Sequence, residues 1–230
     1  MPVLPGPPPV EVHLKRSARA RRFSLRVSRL DGKVTLSMPA RAREGEALAF
    51  LKGNEGWLRQ TLSKLPGAAV QVVGPGSVIP VEGEELVVTP AKGRAVRVEG
   101  GQLLVPGREE TMGPRVAAWL KVLARDRLAL ASLRYAALVG RGYSALAIRD
   151  TRSRWGSCSP DGRLMYSWRL IMAPPAVLDY VAAHEVAHLV ELNHSPAYWK
   201  IVTSICPDWK DHRAWLRAHG NTLHRVRFQD

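Results

Sequence analysis

The chain has 230 residues, 46% of them hydrophobic, with 34 Lys and Arg against 20 Asp and Glu and a formal net charge of +14. That length and apolar content support one sizeable core, or a catalytic domain with a smaller attached module, and exclude a disordered or fibrous chain. No stretch approaches the ~18 consecutive apolar residues of a membrane span, and the opening MPVLPGPPPV has neither the basic nor the continuous apolar region of a secretion signal.

The expected location is therefore the cytoplasm. Cys158 and Cys206 lie far apart and form no CxxC pair, which reads as two reduced thiols rather than a disulfide framework or an all-cysteine zinc site. The positive charge would attract DNA, RNA, nucleotides or an acidic protein, but a general arginine bias gives the same balance, so charge alone names no partner.

The Pro-rich residues 1–10 read as an extended tail. Phe23, Leu25 and Val27 alternate with Ser24, Arg26 and Ser28, Asp31-Gly32 supplies a tight turn, and Val34, Leu36 and Met38 alternate again, which predicts a β-hairpin. Residues 44–64 read as a helix closed by Pro66-Gly67. Between residues 72 and 106, short Val/Leu runs punctuated by Gly74-Pro75-Gly76, Gly83 and Gly100-Gly101 predict small hairpins in a satellite sheet. After Pro114 an Ala- and Leu-rich segment predicts a long helix stopped by Gly140. Residues 143–149 and 163–170 read as strands, and Pro174-Pro175 open a helix running to about Leu192. Ser195-Pro196 has the chemistry of an N-cap and first helical residue, so the chain bends at Asn193-His194 before a new helix. A last helix covers residues 208–219, with Gly220 as its stop. The organisation is α+β: a tail over 1–10, a β-rich module with one helix over 11–110, and a catalytic domain over 111–230.

Within the helix that starts at Pro174, His184-Glu185-Val186-Ala187-His188 is an H-E-x-x-H motif. Positions 184 and 188 are one turn apart on one face, so both imidazoles can reach one metal ion. Leu178, Ala182, Val186 and Leu189 form an apolar stripe rotated away from them. Catalytic zinc takes three protein ligands and keeps a fourth position for water, and His194, past the expected helix end, is the natural third ligand. Its spacing equals that of the metzincins. Where they place Gly this chain has Glu191, with Asn193 beside the ligand to accept a left-handed conformation. Three imidazoles favour one zinc ion, with manganese, nickel or iron as alternatives. Zinc lowers the pKa of its bound water from about 15.7 to about 7, and Glu185 can take the proton as that water attacks an electrophile, which predicts hydrolysis. A second donor for the tetrahedral intermediate would come from Tyr166, Tyr198, Arg152 or Arg154, and spacing does not choose among them.

These residues, with the hairpin LKRSARARRFSLRV, the helix up to Trp57, Arg154-Trp155-Gly156-Ser157-Cys158, Trp168-Arg169-Leu170, HEVAHLVELNHSPAYW and Pro207-Asp208, resemble the YgjP-like zinc metallopeptidase family, relatives of the SprT and WLM proteases among the zincins. Ser167 departs from the asparagine expected before Trp-Arg-Leu. The resemblance implies a zincin-like catalytic half, a protein or peptide substrate, and a strand near the active-site helix that aligns an extended peptide. Residues 163–170 are the choice for that strand, against an ordinary core strand.

Lys15, Arg16, Arg19, Arg21, Arg22, Arg26 and Arg29 form a basic run that either tracks a phosphate backbone or protects a hairpin edge from aggregation. Trp155, Trp168, Trp199, Trp209 and Trp215 read as core rather than as base-stacking groups. Cys158 reads as a small buried residue rather than an inhibitory thiolate, and His212, His219 and His224 as surface groups. The leading function is a zinc endopeptidase, with DNA-associated proteins as substrates by analogy with the SprT and WLM relatives. The alternative is a metal-dependent nucleotide pyrophosphohydrolase, an activity also described in the family, with Arg152 and Arg154 on the phosphates. No carboxylate cluster for magnesium stands beside the histidines to favour it. A nucleic-acid-binding protein with structural zinc is disfavoured by Glu185 and by the open fourth position.

Overall fold

The computed structural model describes residues 2–28, 32–63 and 71–228. Asp31 of the expected turn, Arg29 of the basic run and the Pro66-Gly67 helix stop lie outside the described residues. The chain divides into two units, Met1–Val70 and Gln71–Asp230.

In the first unit, β1 (Val3–Leu4), β2 (Val10–Ser17), β3 (Ser24–Val27) and β4 (Val34–Pro39) form a sheet of order β1-β2-β4-β3. The expected hairpin is β3 and β4, antiparallel with Leu25 opposite Leu36. The first ten residues are not a free tail, because Leu4 pairs with Val10, both are buried, and Arg59 donates to the carbonyls of Pro5 and Pro8 at 2.8 and 3.0 Å. The helix expected over 44–64 is two, α1 (Glu44–Gly53) and α2 (Glu55–Ser63), broken at Asn54, whose side chain donates to the Phe50 carbonyl and competes with helical bonding. Ala47, Leu51 and Leu58 from these helices join Val12, Val34, Leu36 and Met38 from the sheet in one apolar cluster. The alternating burial of β4 is the signature of a strand with one covered face.

The second unit opens with β5 (Gln71–Val72), β6 (Val78–Val81), β7 (Glu84–Ala91), β8 (Arg97–Glu99) and β9 (Gln102–Pro106), of which the last four form a sheet of order β6-β7-β9-β8. Helix α3 (Glu109–Val139) follows, starting before Pro114 rather than after it and ending at Gly140 in the left-handed conformation, as expected. Its buried residues Met112, Val116, Leu120, Ala124, Leu128, Ala131 and Tyr135 recur every three or four positions, one continuous stripe. Then come β10 (Ala145–Arg149), β11 (Gly156–Cys158), β12 (Arg163–Ser167), a 3-10 turn at Trp168–Met172, α4 (Pro175–Ala187), α5 (Pro196–Ile205), α6 (Trp209–Leu223) and β13 (Val226–Arg227). Helix α6 runs through Gly220, which is buried with Trp155 against it: an added Cβ would lie 2.9 Å from the indole, so this glycine serves close packing and not a helix stop. No described helix is long and apolar enough to cross a membrane.

The unit boundary falls after residue 70, not after 110. Ile79, Val88, Leu103 and Val105 of the satellite sheet share one apolar cluster with the α3 stripe, Tyr166, Leu170 and the buried residues of α4. A sheet whose inner face is the wall of the larger core cannot belong to a separate module. The mixture of six helices and small sheets among the described residues is an α+β fold.

Arg169 ties the end of β10 to the C-terminal segment. Its guanidinium is buried, donates to both Asp150 oxygens at 2.7 and 3.2 Å, and donates to the Leu223 and Val226 carbonyls at 2.9 Å. Burial alone would push the Asp150 carboxyl up, but the Arg169 hydrogen bonds and charge hold it below the usual range. Asp150→Asn leaves this buried cation uncompensated and is expected to cost about 2 kcal/mol, read as a lower urea midpoint. Because the folded carboxyl is depressed, its contribution is present above the ordinary Asp pKa of ~3.9 and fades as pH falls through the lower folded value. The gap between wild type and variant should therefore hold at neutral pH and close in acid.

Candidate metal centre

Helix α4 starts with Pro175 at its first position, where the missing N–H costs nothing, and is buried along most of its length. It ends at Ala187 rather than near Leu192. Leu189 and Val190 donate to Val186 and Ala187 three residues back, at 2.9 and 3.1 Å, tightening the last turn so that His188 is the C-cap. The bend uses no left-handed residue at Asn193: among the described residues Glu82 alone, apart from glycines, has a positive φ. Glu191 does the work expected of a flexible residue. Its carbonyl accepts from His188 Nδ1 at 3.0 Å, its carboxylate accepts the Asn193 N–H at 3.3 Å, and Ser195 N–H donates to the Asn193 carbonyl at 2.8 Å. Ser195 then caps α5 through its hydroxyl, which accepts the Tyr198 N–H, as the sequence predicts.

This route delivers His194 to the other two imidazoles. Ligand atoms of His184, His188 and His194 all lie within 4.8 Å of one another, and Nε2 of His184 is 3.1 Å from Nε2 of His194. Two nitrogens bound tetrahedrally at 2.0–2.1 Å from one ion stand about 3.3 Å apart, so the set fits a single divalent metal. The carbonyl on His188 Nδ1 can only accept, which fixes the proton there and leaves Nε2 with its lone pair for a metal. Burial, then the neighbouring imidazoles, push His184 down to about 3, and burial lowers His188 as well, which favours the neutral imidazole that can ligate a metal. Tyr198 secures the arrangement. Its ring stacks on His188 with centroids 4.5 Å apart, and its hydroxyl donates to the His184 carbonyl at 2.9 Å.

Glu185, between the first two histidines, is buried, 6% exposed, and lies against β11. A Cβ on Gly156 would fall 2.5 Å from its Oε1, so the carboxylate occupies the space a side chain would fill. Burial pushes the Glu185 carboxyl up to about 8, with the Arg154 charge pulling the other way. The sheet here has the order β10-β12-β11. β12 is therefore central, paired on both sides, and residues 163–170 cannot accept a further strand, a correction to the sequence expectation; Trp168–Leu170 lie in the 3-10 turn.

The strand edge beside Glu185 is β11. Ser167 N–H donates to the Trp155 carbonyl and Ser159 N–H to that of Arg163, so residues 155, 157 and 159 turn their backbone groups toward β12. By alternation Gly156 and Cys158 turn theirs to the open edge, where among the described residues they bond nothing.

The remaining sequence candidates separate. Arg154 is exposed on the Glu185 side. Arg152 instead acts on Asp150 and His224 and lines a cavity of about 460 Å³ with Lys121, Trp168, Arg169, Arg227 and Phe228. The Tyr166 hydroxyl is buried 2.9 Å from Ser132 Oγ, and that of Tyr198 is committed to His184, which removes both from the choice of free donors. Lys15, Arg19, Arg21, Arg22 and Arg26 are exposed in the first unit, whereas Arg16 donates to the carbonyls of Ala40 and Ala42. Ser167 is fully buried with no partner for its hydroxyl among the described residues.

Cys158 is half-buried, and burial with the Glu185 charge pushes its thiol up to about 11, so it is no thiolate at neutral pH. His224 is not a surface group: it stacks on Trp155 at 4.9 Å, and burial pushes it down to about 4. The tryptophans are packed as expected, Trp168 most deeply. Gly156 and Glu191 are named in the sequence reading but given no role at the site; the glycine between Trp155 and Ser157, where a backbone approaches closely, is the available signal for the first. Gly156→Ala is expected to displace Glu185 while the three imidazoles still bind. The variant should keep about one divalent metal per chain by elemental analysis and lose at least about tenfold in hydrolytic rate.

The model of the YgjP-like metallopeptidase domain matches residues 21–219. Comparison with curated proteins and with solved structures finds no match. The family match covers most of the chain and includes the three converging imidazoles and the buried carboxylate between them, and the chain belongs to the YgjP-like metallopeptidase family, metal-dependent hydrolases of peptide bonds.

Proposed function

We propose that the chain is a cytoplasmic zinc endopeptidase in which His184, His188 and His194 hold the ion and Glu185 is the general base, and that its substrates are DNA-associated proteins. The observation that carries the peptidase reading is a buried carboxylate placed between three converging imidazoles and an unpaired strand edge. Zinc, when bound, supplies a Lewis acid that acidifies water and polarises a carbonyl. An extended peptide pairs with the outward N–H and C=O groups of Gly156 and Cys158, which sets its carbonyl beside Glu185. The Glu185 carboxylate accepts the proton of the attacking water and returns it to the leaving amine, and its raised affinity for protons matches it to that exchange near neutral pH. Arg154, exposed and close enough to influence Glu185, is the donor for the developing oxyanion.

The DNA component is supported by the net charge of +14 and by the exposed Lys15, Arg19, Arg21 and Arg22, which suit a phosphate backbone. The nucleotide pyrophosphohydrolase reading needs Arg152 and Arg154 on the same phosphates. Arg152 faces Asp150 and His224 instead, which weakens it.

Zinc-loaded protein incubated with a DNA-bound basic protein is expected to yield new peptide termini by mass spectrometry, and none with Glu185→Gln, which should still bind zinc. Omitting DNA should slow cleavage, and the dependence should weaken as salt rises. Release of pyrophosphate from nucleoside triphosphates without any peptide cleavage would replace the peptidase reading.

A further inference from the structure

Beside the imidazoles runs a wall of aromatic rings and of cations with no ion pair among the described residues, which the hydrolytic chemistry does not use. Trp199 of α5 stacks on His194 with centroids 5.8 Å apart, and Trp209 of α6 stacks on Trp199 at 4.3 Å. The Arg213 guanidinium lies over both indoles, 5.1 Å from the Trp199 centroid and 5.9 Å from that of Trp209, and Lys210 lies 5.9 Å over Trp209. Lys210, Arg213 and Arg217 recur at three and four positions along α6 and so share one face. With Trp209, Ala214 and Ala218 they line an open groove of about 590 Å³, and no carboxylate is among its lining residues. None of the three cations makes an ion pair among the described residues.

Cations stacked on indoles and left without acids are held in place, but their charge is not neutralised. The small Ala214 and Ala218 leave the space above them open. From this geometry we infer that the α6 face of Lys210, Arg213 and Arg217 is a substrate subsite that selects a carboxylate carried by the peptide, on an Asp or Glu side chain or at a free C-terminus. An extended chain rises ~3.3 Å per residue, so the stacked path from His194 through Trp199 to Arg213 places that carboxylate within about three residues of the scissile bond. Two guanidinium groups and an ammonium suit a carboxylate through charge-assisted hydrogen bonds, and a Lys side chain in the groove would be repelled. The inference rests on the peptidase reading above and goes beyond it by naming what the substrate carries.

The test is a peptide library with Glu, Gln or Lys at each position, with free or amidated C-termini, incubated with the zinc-loaded full chain and read by mass spectrometry. Wild type should cleave Glu peptides about tenfold faster than Gln peptides at one position near the cut, Lys peptides more slowly still, with the preference shrinking at high salt. Arg213→Gln and Arg217→Gln should each bring the Glu-to-Gln ratio toward one, and Arg213→Glu should invert the order of Glu and Lys. A preference that survives amidation assigns the side chain, and one that requires the free end assigns the terminal carboxylate. Where Arg213 variants fail to fold because the indole stack needs them, exposed Arg217 supplies the same ratio. Equal cleavage of Glu, Gln and Lys peptides by wild type overturns the inference and leaves the peptidase reading standing. Absence of any peptide cleavage, with nucleoside triphosphates hydrolysed, overturns both.

Discussion

The desolvation of Glu185 is the constraint around which the second unit is arranged. A carboxylate removed from water binds its proton more tightly, and only a neighbouring charge, here Arg154, or a bound cation restores ionisation at neutral pH. Keeping it dry requires α4 to be covered nearly all round. The covering groups are the α3 stripe, the 3-10 turn at Trp168–Met172, α5, α6 and the glycine-bearing strand β11. Gly156 lets the strand approach to a distance no other residue would permit. The same approach that dries the carboxylate also brings an unpaired backbone edge beside it.

Positioning of the three imidazoles uses few residues for several purposes. Glu191 orients His188 through its carbonyl and shapes the bend to His194 through its carboxylate. Tyr198 packs on one histidine and holds the backbone of another. Both are committed to geometry, so neither is free for substrate, whereas Arg154 stays exposed at the rim. Two cations act on the centre, Arg154 on Glu185 and Arg213 on His184, while the Glu191 carboxylate acts on His188. The cations favour the ionised form of Glu185 and draw in anionic groups, and Arg213 adds to the lowering of His184 that burial begins.

Much of the fold was legible in local patterns. Alternation at Phe23–Val27 and Val34–Met38 is paired as β3 and β4, and the Ala- and Leu-rich segment closed by Gly140 is α3. The failures share a physical origin. Gly220 lies inside α6 because Trp155 presses on it, and the N-terminal ten residues pair because Leu4 finds Val10. His224 is half-buried because Trp155 stacks on it. In each case a partner distant in sequence decided the outcome, and local propensity carries no information about such partners. The placement of residues 163–170 failed in the same way, since whether a strand lies at the edge or the centre of a sheet depends on what pairs with it.

What the sequence by itself determined is the convergence of three imidazoles with a carboxylate among them: a helical spacing of four puts His184 and His188 on one face, and a capped helix start after His194 forces the bend that returns it. These are short-range consequences of backbone geometry. The tertiary structure alone decided which strand offers an open edge, which of Tyr166, Tyr198, Arg152 and Arg154 remains available, how far Glu185 is dried, and that α6 presents cations stacked on indoles beside the imidazoles. Those properties depend on packing between segments far apart in the chain, where burial and the nearest charges set what each group can do.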